Sequence, residues 1–201
     1  MATTAPYDAR LERLLTAAAQ VFARKGFHPT TMRDLSRATG MSLAGMYHYV
    51  AGKEELLHRI QRRCFERVLD GTGQALARLA DPAERLRAFI RHHVTFFASH
   101  MAEMKVLSHE AESLSGPLHE EILALKRRYV ALLEGLIRDL GADERDTRVG
   151  AFALFGMMNW IYTWYRPDGP VPPDDLAARF AELFLRGLPA ASTSIAEGGR
   201  A

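Results

Sequence analysis

The stretch that decides the fold runs Thr30-Thr-Met-Arg-Asp-Leu-Ser-Arg-Ala-Thr-Gly-Met-Ser-Leu-Ala-Gly-Met-Tyr-His-Tyr-Val50. It contains two short segments with helical spacing of apolar residues, separated by Gly40. Thr31 and Asp34 stand at the spacing of a capping box, and Ser42 is a suitable N-cap for the second segment. Two short helices joined by a tight turn are typical of a helix-turn-helix, whose second helix enters the major groove of DNA.

The rest of the chain is predicted to be helical as well. A helix capped by Asp8 precedes the stretch and ends at Gly26, and several longer helices follow it. We expect Gly71 and Gly73 to weaken or kink the first of these. The predicted fold is all-α with about nine helices: a three-helix head over residues 8–52, a larger helical body over residues 53–188 and a flexible tail over residues 189–201.

Charge is distributed unevenly along a chain whose formal net charge is only +2. Residues 1–67 hold 11 Lys and Arg against 6 Asp and Glu, a net of +5, and residues 68–201 hold 15 against 18, a net of −3. A basic first third indicates a polyanionic partner at that end, although such an excess is also common on ordinary surfaces.

Several other classes of protein are disfavoured. One cysteine, Cys64, excludes an intrachain disulfide framework. The N-terminus has no apolar core typical of a secretory signal, and the apolar stretch 149–164 is shorter than a membrane span. We therefore expect a cytoplasmic protein without membrane contact. The histidines at 92, 93, 100, 109 and 119 form no metal-binding motif, and the sequence contains no G-x-S-x-G or Gly-rich phosphate loop. We expect no metal, no cofactor and no enzymatic activity.

The stretch and its surroundings resemble the N-terminal domain of TetR-family transcriptional regulators. The resemblance rests on Gly26-Phe27, Thr30 to Ser36, Ala38-Thr-Gly40, Met46-Tyr-His-Tyr49 and Gly52-Lys-Glu-Glu-Leu56. It implies a homodimer in which each subunit has a DNA-binding head and a ligand-binding body. By position, Thr31, Tyr47 and Lys53 would hold phosphates, with Thr30 beside them, and the residues near base edges would be Arg33, Ser42, Leu43, Ala44, Gly45 and His48. For Arg33, a surface ion pair is an equal alternative, and for Tyr47 the alternative is packing.

The sequence departs from the family pattern at two places. Leu43-Ala44-Gly45 stands where the family often has a basic or hydroxyl residue, and Leu43 can touch a thymine methyl group but cannot form a hydrogen bond. Gly52 replaces the common Ser or Asn cap of the next helix. Both departures leave the fold intact and the operator sequence open.

Residues 145–188 resemble the body of TetR-type regulators of fatty-acid and steroid breakdown that respond to acyl-CoA thioesters. The motif Phe155-Gly-Met-Met-Asn-Trp-Ile-Tyr-Thr-Trp-Tyr-Arg-Pro-Asp-Gly-Pro170, with Phe184-Leu-Arg-Gly-Leu188, carries this likeness. The helix predicted from Glu144 to Tyr165 is apolar on all sides, so it needs a neighbour on each side. We predict that it pairs with the last helix against a second copy, and that the interface contains Phe152, Phe155, Trp160, Tyr162, Trp164, Phe180 and Phe184. An intrachain core is the alternative.

Aromatic and methionine side chains of the body are candidates for an apolar effector pocket, and plain core packing is the alternative. The candidates are Phe65, Phe89, His93, Phe96, Phe97, Met101, Met104 and Met157. The expected function is a ligand-responsive homodimeric repressor, released from a palindromic operator in double-stranded DNA by a small apolar effector such as an acyl-CoA thioester. A small all-α lipid-binding protein or enzyme without a DNA role, and a helical interaction module without a ligand, remain the alternatives.

Overall fold

The computed structural model describes residues 4–187 of the chain, with side chains described from residue 9 onward, and most of these residues are helical. The helices are α1 (Thr4–Lys25), α2 (Met32–Thr39), α3 (Leu43–Tyr47), α4 (Lys53–Leu76), α5 (Pro82–Ala98), α6 (Met101–His109), α7 (Gly116–Arg138), α8 (Glu144–Asn159), α9 (Ile161–Trp164) and α10 (Pro173–Gly187). Only Trp160, itself in a helical conformation, separates α8 from α9. If α8 and α9 are counted as one helix, residues 4–187 contain the nine helices expected. The all-α prediction is confirmed. The predicted tail, 189–201, lies outside the described residues.

The boundaries of the first helices follow the predicted signals with one exception. Gly26 and Gly40 adopt the left-handed conformation, with φ of 85° and 68°, and each ends a helix as expected. The Ser42 hydroxyl accepts a hydrogen bond from the Gly45 N–H at 3.1 Å and caps α3. The predicted start at Asp8 is wrong, because α1 begins at Thr4. The periodic apolar positions on which that prediction rested begin only at Leu11.

The capping box at the start of α2 is formed in full. The Asp34 N–H donates to the Thr31 hydroxyl at 3.2 Å, and the Thr31 N–H donates to the Asp34 carboxylate at 2.9 Å. Lys25 also donates to that carboxylate, at 2.6 Å. The hydrogen bond from Lys25 and then those from Thr31 hold the pKa of Asp34 well below its usual range. The end of α1 is thereby fastened to the start of α2.

The long helix α4 connects the head to the body. It packs against α1 on one side and against α5 and α7 on the other. Gly71 and Gly73, where a weakening or a kink is predicted, lie inside α4, which runs without a break from Lys53 to Leu76. A Cβ at Gly71 would lie only 2.4 Å from Cε1 of His92. Because Gly71 has no side chain, the imidazole ring of His92 on α5 can lie in close contact with α4.

The body is completed by α5 to α10, with α10 packed extensively against α5. Buried apolar side chains continue from the head core (Leu14, Phe22, Leu35 and Met46) through α4 into the body. Between residues 4 and 187, no helix is both long enough and apolar enough to cross a membrane.

Candidate nucleic-acid interface

The helix α3 presents a narrow exposed surface because its other side is fixed in the core. Met46 is fully buried, and Tyr49 and Val50 close the core behind it. Ser42 starts the helix with its side chain at the surface, and Tyr47 is 53% exposed. A capped helix end with exposed hydroxyl groups and backbone N–H groups is suited to binding phosphate oxygens.

Most of the predicted DNA-contacting residues lie at this surface. The exposed ones are Thr31, Arg33, Ser42, Ala44, Tyr47 and His48, and the half-buried ones are Leu43 and Gly45. Asp34 forms ion pairs with Lys25 and Arg37. Asp34 is the carboxylate closest in sequence to Arg33, and among the described residues it pairs with these two other cations.

Two predicted phosphate contacts need correction. Thr30 is 1% exposed, and its hydroxyl donates to the carbonyl oxygen of Gly26 at 2.6 Å. Lys53 donates from Nζ to the carbonyl oxygens of Phe27 at 2.9 Å, His28 at 2.9 Å and Thr30 at 3.1 Å. An ammonium group has three N–H donors, so all of them are used inside the protein. Both side chains hold the loop between α1 and α2 instead of facing a ligand.

Two arginines of α1 that the sequence reasoning missed belong to the same surface. Arg10 and Arg13 are exposed and line a recess of about 560 Å³ that also contains Thr39, Ser42 and His48. Their spacing of three residues places both on one side of α1. This i, i+3 pair of arginines on the helix that precedes the helix-turn-helix is the signal that could have pointed to them.

The predicted pocket residues are found mainly inside the body core. Phe65, Phe89, His93, Phe97 and Met104 are buried, whereas Phe96, Met101 and Met157 are partly buried. Phe89 stacks on Tyr129 with ring centroids 5.3 Å apart, and the His93 ring lies 4.7 Å from that of Phe97. Tyr129, which the sequence reasoning did not select, bonds through its hydroxyl to Nδ1 of His93 at 3.0 Å.

Burial of His93 makes stability depend on pH. Desolvation, with a smaller contribution from His92, lowers the pKa of His93 to about 3. The unfolded chain binds a proton at this position below about pH 6.5, while the folded protein does not. We therefore expect the free energy of unfolding to fall by up to about 1.4 kcal/mol per pH unit as the pH drops from 6.5 towards 3.

Urea unfolding measured at pH 7 and at pH 5 tests this expectation. His93→Gln should be less stable at pH 7 but should lose less of its remaining stability on acidification. An unchanged difference between the two pH values in this variant would show that another group titrates.

The exposed side of α8 carries a stripe of apolar residues. Val149, Phe152 and Trp160 are 62%, 54% and 61% exposed. Together with Gly156 they are spaced three or four residues apart, so they lie on one side of the helix, and Trp164 on α9 continues the same line. Leu183 on the neighbouring α10 is 66% exposed. Two residues predicted for the dimer interface are not part of this stripe: Phe155 and Phe180 are only 8% and 9% exposed. They point inward, whereas Tyr162 and Phe184 are partly buried.

Comparisons with known proteins agree with this architecture. Residues 14–60 match the family described as bacterial regulatory proteins of the tetR family, and residues 79–188 match the tetracyclin repressor-like C-terminal domain. The chain belongs to the TetR family. The helix-turn-helix formed by α2 and α3 lies inside the region that matches the family's N-terminal model.

Individual relatives cover nearly the whole chain. The transcriptional regulator PfmR from Thermus thermophilus has 32% identity and a TM-score of 0.79, covering 88% of this chain and 99% of its own. The AibR structure in complex with isovaleryl coenzyme A and operator DNA has 30% identity and a TM-score of 0.76, covering 87% and 97%. The transcriptional repressor KstR2 from Rhodococcus jostii (strain RHA1) is 28% identical over 195 residues, which covers 92% of this chain and 94% of KstR2. PfmR and KstR2 are regulators of transcription, and AibR is bound to operator DNA in its structure.

Proposed function

We propose that this TetR-family protein is a homodimeric transcriptional repressor that binds a palindromic operator and is released by a small apolar effector. The observation that carries the proposal is the surface of α3, where a Ser42-capped helix exposes Tyr47 and His48 beside Arg10 and Arg13. Exposed Arg33 on α2 extends this surface. Cations and hydroxyl groups around a short exposed helix provide phosphate contacts on either side of a base-reading element.

A dimer is supported by the apolar stripe of α8 together with Leu183. Five large apolar side chains between α8 and α10 are more than half exposed, which is unusual for a solvent-facing surface. A twofold copy of α8 and α10 would cover them in a four-helix arrangement. In such a dimer, the two α3 helices must reach major-groove faces about 34–36 Å apart.

The effector class that we propose is the acyl thioesters of coenzyme A, in which the acyl group is the apolar part and the coenzyme A group carries phosphates. The AibR structure contains isovaleryl coenzyme A, and the body of our chain has the same fold. The aromatic cluster of Phe89, His93, Tyr129 and Phe155 lies where α5, α7 and α8 meet. Since α4 packs against both α5 and α7, an effector that separates these helices would tilt α4 and move the head. Such coupling is typically about 1–3 kcal/mol.

The function can be tested by selecting duplexes from a random library with the purified protein, followed by footprinting on genomic DNA. We expect protection of a pseudo-palindrome whose half-sites lie one helical turn, or a multiple of it, apart. Isovaleryl coenzyme A and long-chain acyl-CoA thioesters, added in separate reactions, should lower affinity about 5- to 150-fold if they belong to the effector class. A protein that binds lipid thioesters but protects no duplex at low salt would be a lipid-binding protein without a DNA role.

Phosphate contacts by α1 give a sharper prediction. Arg10→Ala and Arg13→Ala should each weaken binding to the operator and to unrelated duplexes, and should each lower the slope of log K against log salt concentration by about 1. Fluorescence anisotropy over a range of about 50 to 200 mM salt measures both quantities. Arg128→Ala, which removes an exposed arginine from α7 of the body, is the matched control and should leave the slope unchanged. If the wild type and these three variants all gave the same slope, the DNA would bind to another surface of the protein.

Tyr47→Phe removes only the hydroxyl of an exposed side chain. If this hydroxyl binds a phosphate, the variant should bind operator and non-operator duplexes about 2- to 10-fold more weakly, because one hydrogen bond is lost without any base contact. A loss confined to the operator would instead assign Tyr47 to base recognition, and no loss would leave it outside the interface.

A further inference from the structure

The end of α6 in the body contacts the loop between α1 and α2 in the head through one buried side chain. Glu110, the C-cap of α6, is 9% exposed. Its Oε1 atom accepts a hydrogen bond at 2.9 Å from the backbone N–H of Phe27, a residue 83 positions earlier in the chain. The bond joins the part of the protein expected to bind effector to the part expected to bind DNA.

Glu110 is itself held firmly by the body. The Ser113 hydroxyl donates to Oε2 at 2.7 Å, and Nε2 of Gln61 on α4 donates to the Glu110 carbonyl oxygen at 3.0 Å. The preceding residue, His109, is hydrogen-bonded through Nε2 to the hydroxyl of Tyr162 on α9 at 2.9 Å. Contacts on both oxygens and on the main chain leave the carboxylate little freedom, so it can define the position of the group that it binds.

The contacted loop leads directly into the DNA-binding helices. Lys53, the first residue of α4, binds three carbonyl oxygens of the loop, and its Nζ lies 4.5 Å from the centre of the Phe27 ring. Thr31, the N-cap of α2, follows immediately. The loop is therefore held by α4 through its carbonyl groups and by the end of α6 through an N–H group.

We propose that Glu110 is a positioning residue that fixes the α2–α3 unit relative to the body, so that two heads of a dimer keep the separation that a palindromic operator requires. This proposal rests on the proposed function. Glu110 binds a backbone N–H of the loop, whereas the core of the head is built from apolar side chains such as Phe22, Leu35 and Met46. Loss of the carboxylate should therefore affect the placement of the head more than its ability to contact one half-site.

Comparison of a complete palindrome with a single half-site tests the proposal. The palindrome is the one selected from random duplexes by the wild-type protein, and the second duplex carries one half-site only. Glu110→Ala should bind the palindrome about tenfold or more weakly, the loss expected for one buried charged hydrogen bond, and should bind the half-site as the wild type does. It should also discriminate less against a palindrome whose spacer is lengthened by two base pairs.

Two variants separate positioning from a loss of folding. Glu110→Gln keeps an oxygen that can accept from the Phe27 N–H and should recover most of the palindrome affinity and spacer preference. Glu112→Ala removes an exposed carboxylate two residues away and should behave as the wild type. An unchanged palindrome affinity in Glu110→Ala would overturn the proposal. So would an equal loss on the half-site, because Glu110 would then support the interior of the head.

Head placement can also be measured without DNA. Spin labels at Arg37→Cys on α2 and Glu120→Cys on α7, in chains diluted with unlabelled protein, report the head-to-body distance. Cys64 should stay unlabelled because it is buried and desolvation holds the pKa of its thiol far above the usual value. Glu110→Ala should broaden the distance distribution, and an unchanged distribution would overturn the proposal. If the wild type binds no duplex, the proposed function fails while this measurement still decides the role of Glu110.

Discussion

Replacing Phe152 and Leu183 together by aspartate is expected to convert the protein into a monomer that no longer binds its operator. Both side chains are more than half exposed, on α8 and α10. The helices α8 and α10 are in close contact, because a Cβ atom added to Gly150 of α8 would lie only 3.3 Å from the ring of Phe184 on α10. If a twofold copy covers this surface, the double variant places four unpaired carboxylates in the interface. Burying unpaired charges costs several kcal/mol, more than a typical dimer interface tolerates.

Sedimentation velocity and operator titration measure the two expected effects. A dimer that holds both half-sites gains from linking them, so the monomer should bind the palindrome at least about a hundredfold more weakly. Ala124→Asp, an equivalent change at an exposed position of α7, is the control and should remain dimeric. If the double variant sediments as the wild type does, the apolar stripe of α8 has another role.

Phe89→Ala is expected to cost about 3–5 kcal/mol of stability, the range for removing a fully buried phenyl ring from a core. Phe89 is completely buried, and its ring contacts those of Tyr129, Phe155 and His93 at centroid distances of 5.3, 6.1 and 6.3 Å. These partners come from three helices, so the ring is a central contact of the body. Rigid aromatic neighbours can only partly collapse into the space, which places the cost in the upper part of the range.

Urea unfolding at a fixed protein concentration measures this loss, because the stability of a dimer depends on concentration. Phe96→Ala is the matched control: Phe96 is only partly buried and should lose about half as much or less. Benzene should raise the melting temperature of Phe89→Ala if the ring leaves an apolar cavity. A stable Phe89→Ala protein that no longer responds to acyl-CoA would instead make Phe89 a pocket residue.

The sequence predicted the local structure of the head because short-range signals determine it. A capping box, a serine cap and two left-handed glycines each act within a few residues, and all four were found where expected. The start of α1 was missed because the apolar helical periodicity begins only at Leu11, and Pro6 was not used as a signal of the first turn. The division of the chain at residue 52 stays a prediction, and α4 packs against both parts.

The roles of individual side chains were less predictable because they depend on direction and on distant partners. The resemblance to the family implies a phosphate contact at Lys53, yet the loop carbonyls of Phe27, His28 and Thr30 occupy its three donors. Phe155 and Phe152 are both phenylalanines in one apolar helix, and only packing shows that the first points inward and the second outward. An all-round apolar helix has no polar face from which orientation could be read.

By itself, the sequence determined that the described part of this chain folds into helices and that it carries a helix-turn-helix, since periodicity, caps and glycines act locally. The tertiary structure alone placed Arg10 and Arg13 beside α3 and turned Thr30 and Lys53 inward. It also brought Glu110 to the N–H of Phe27. Contacts between residues 83 positions apart arise from the packing of α1, α4 and α6, and no local pattern encodes such a distance.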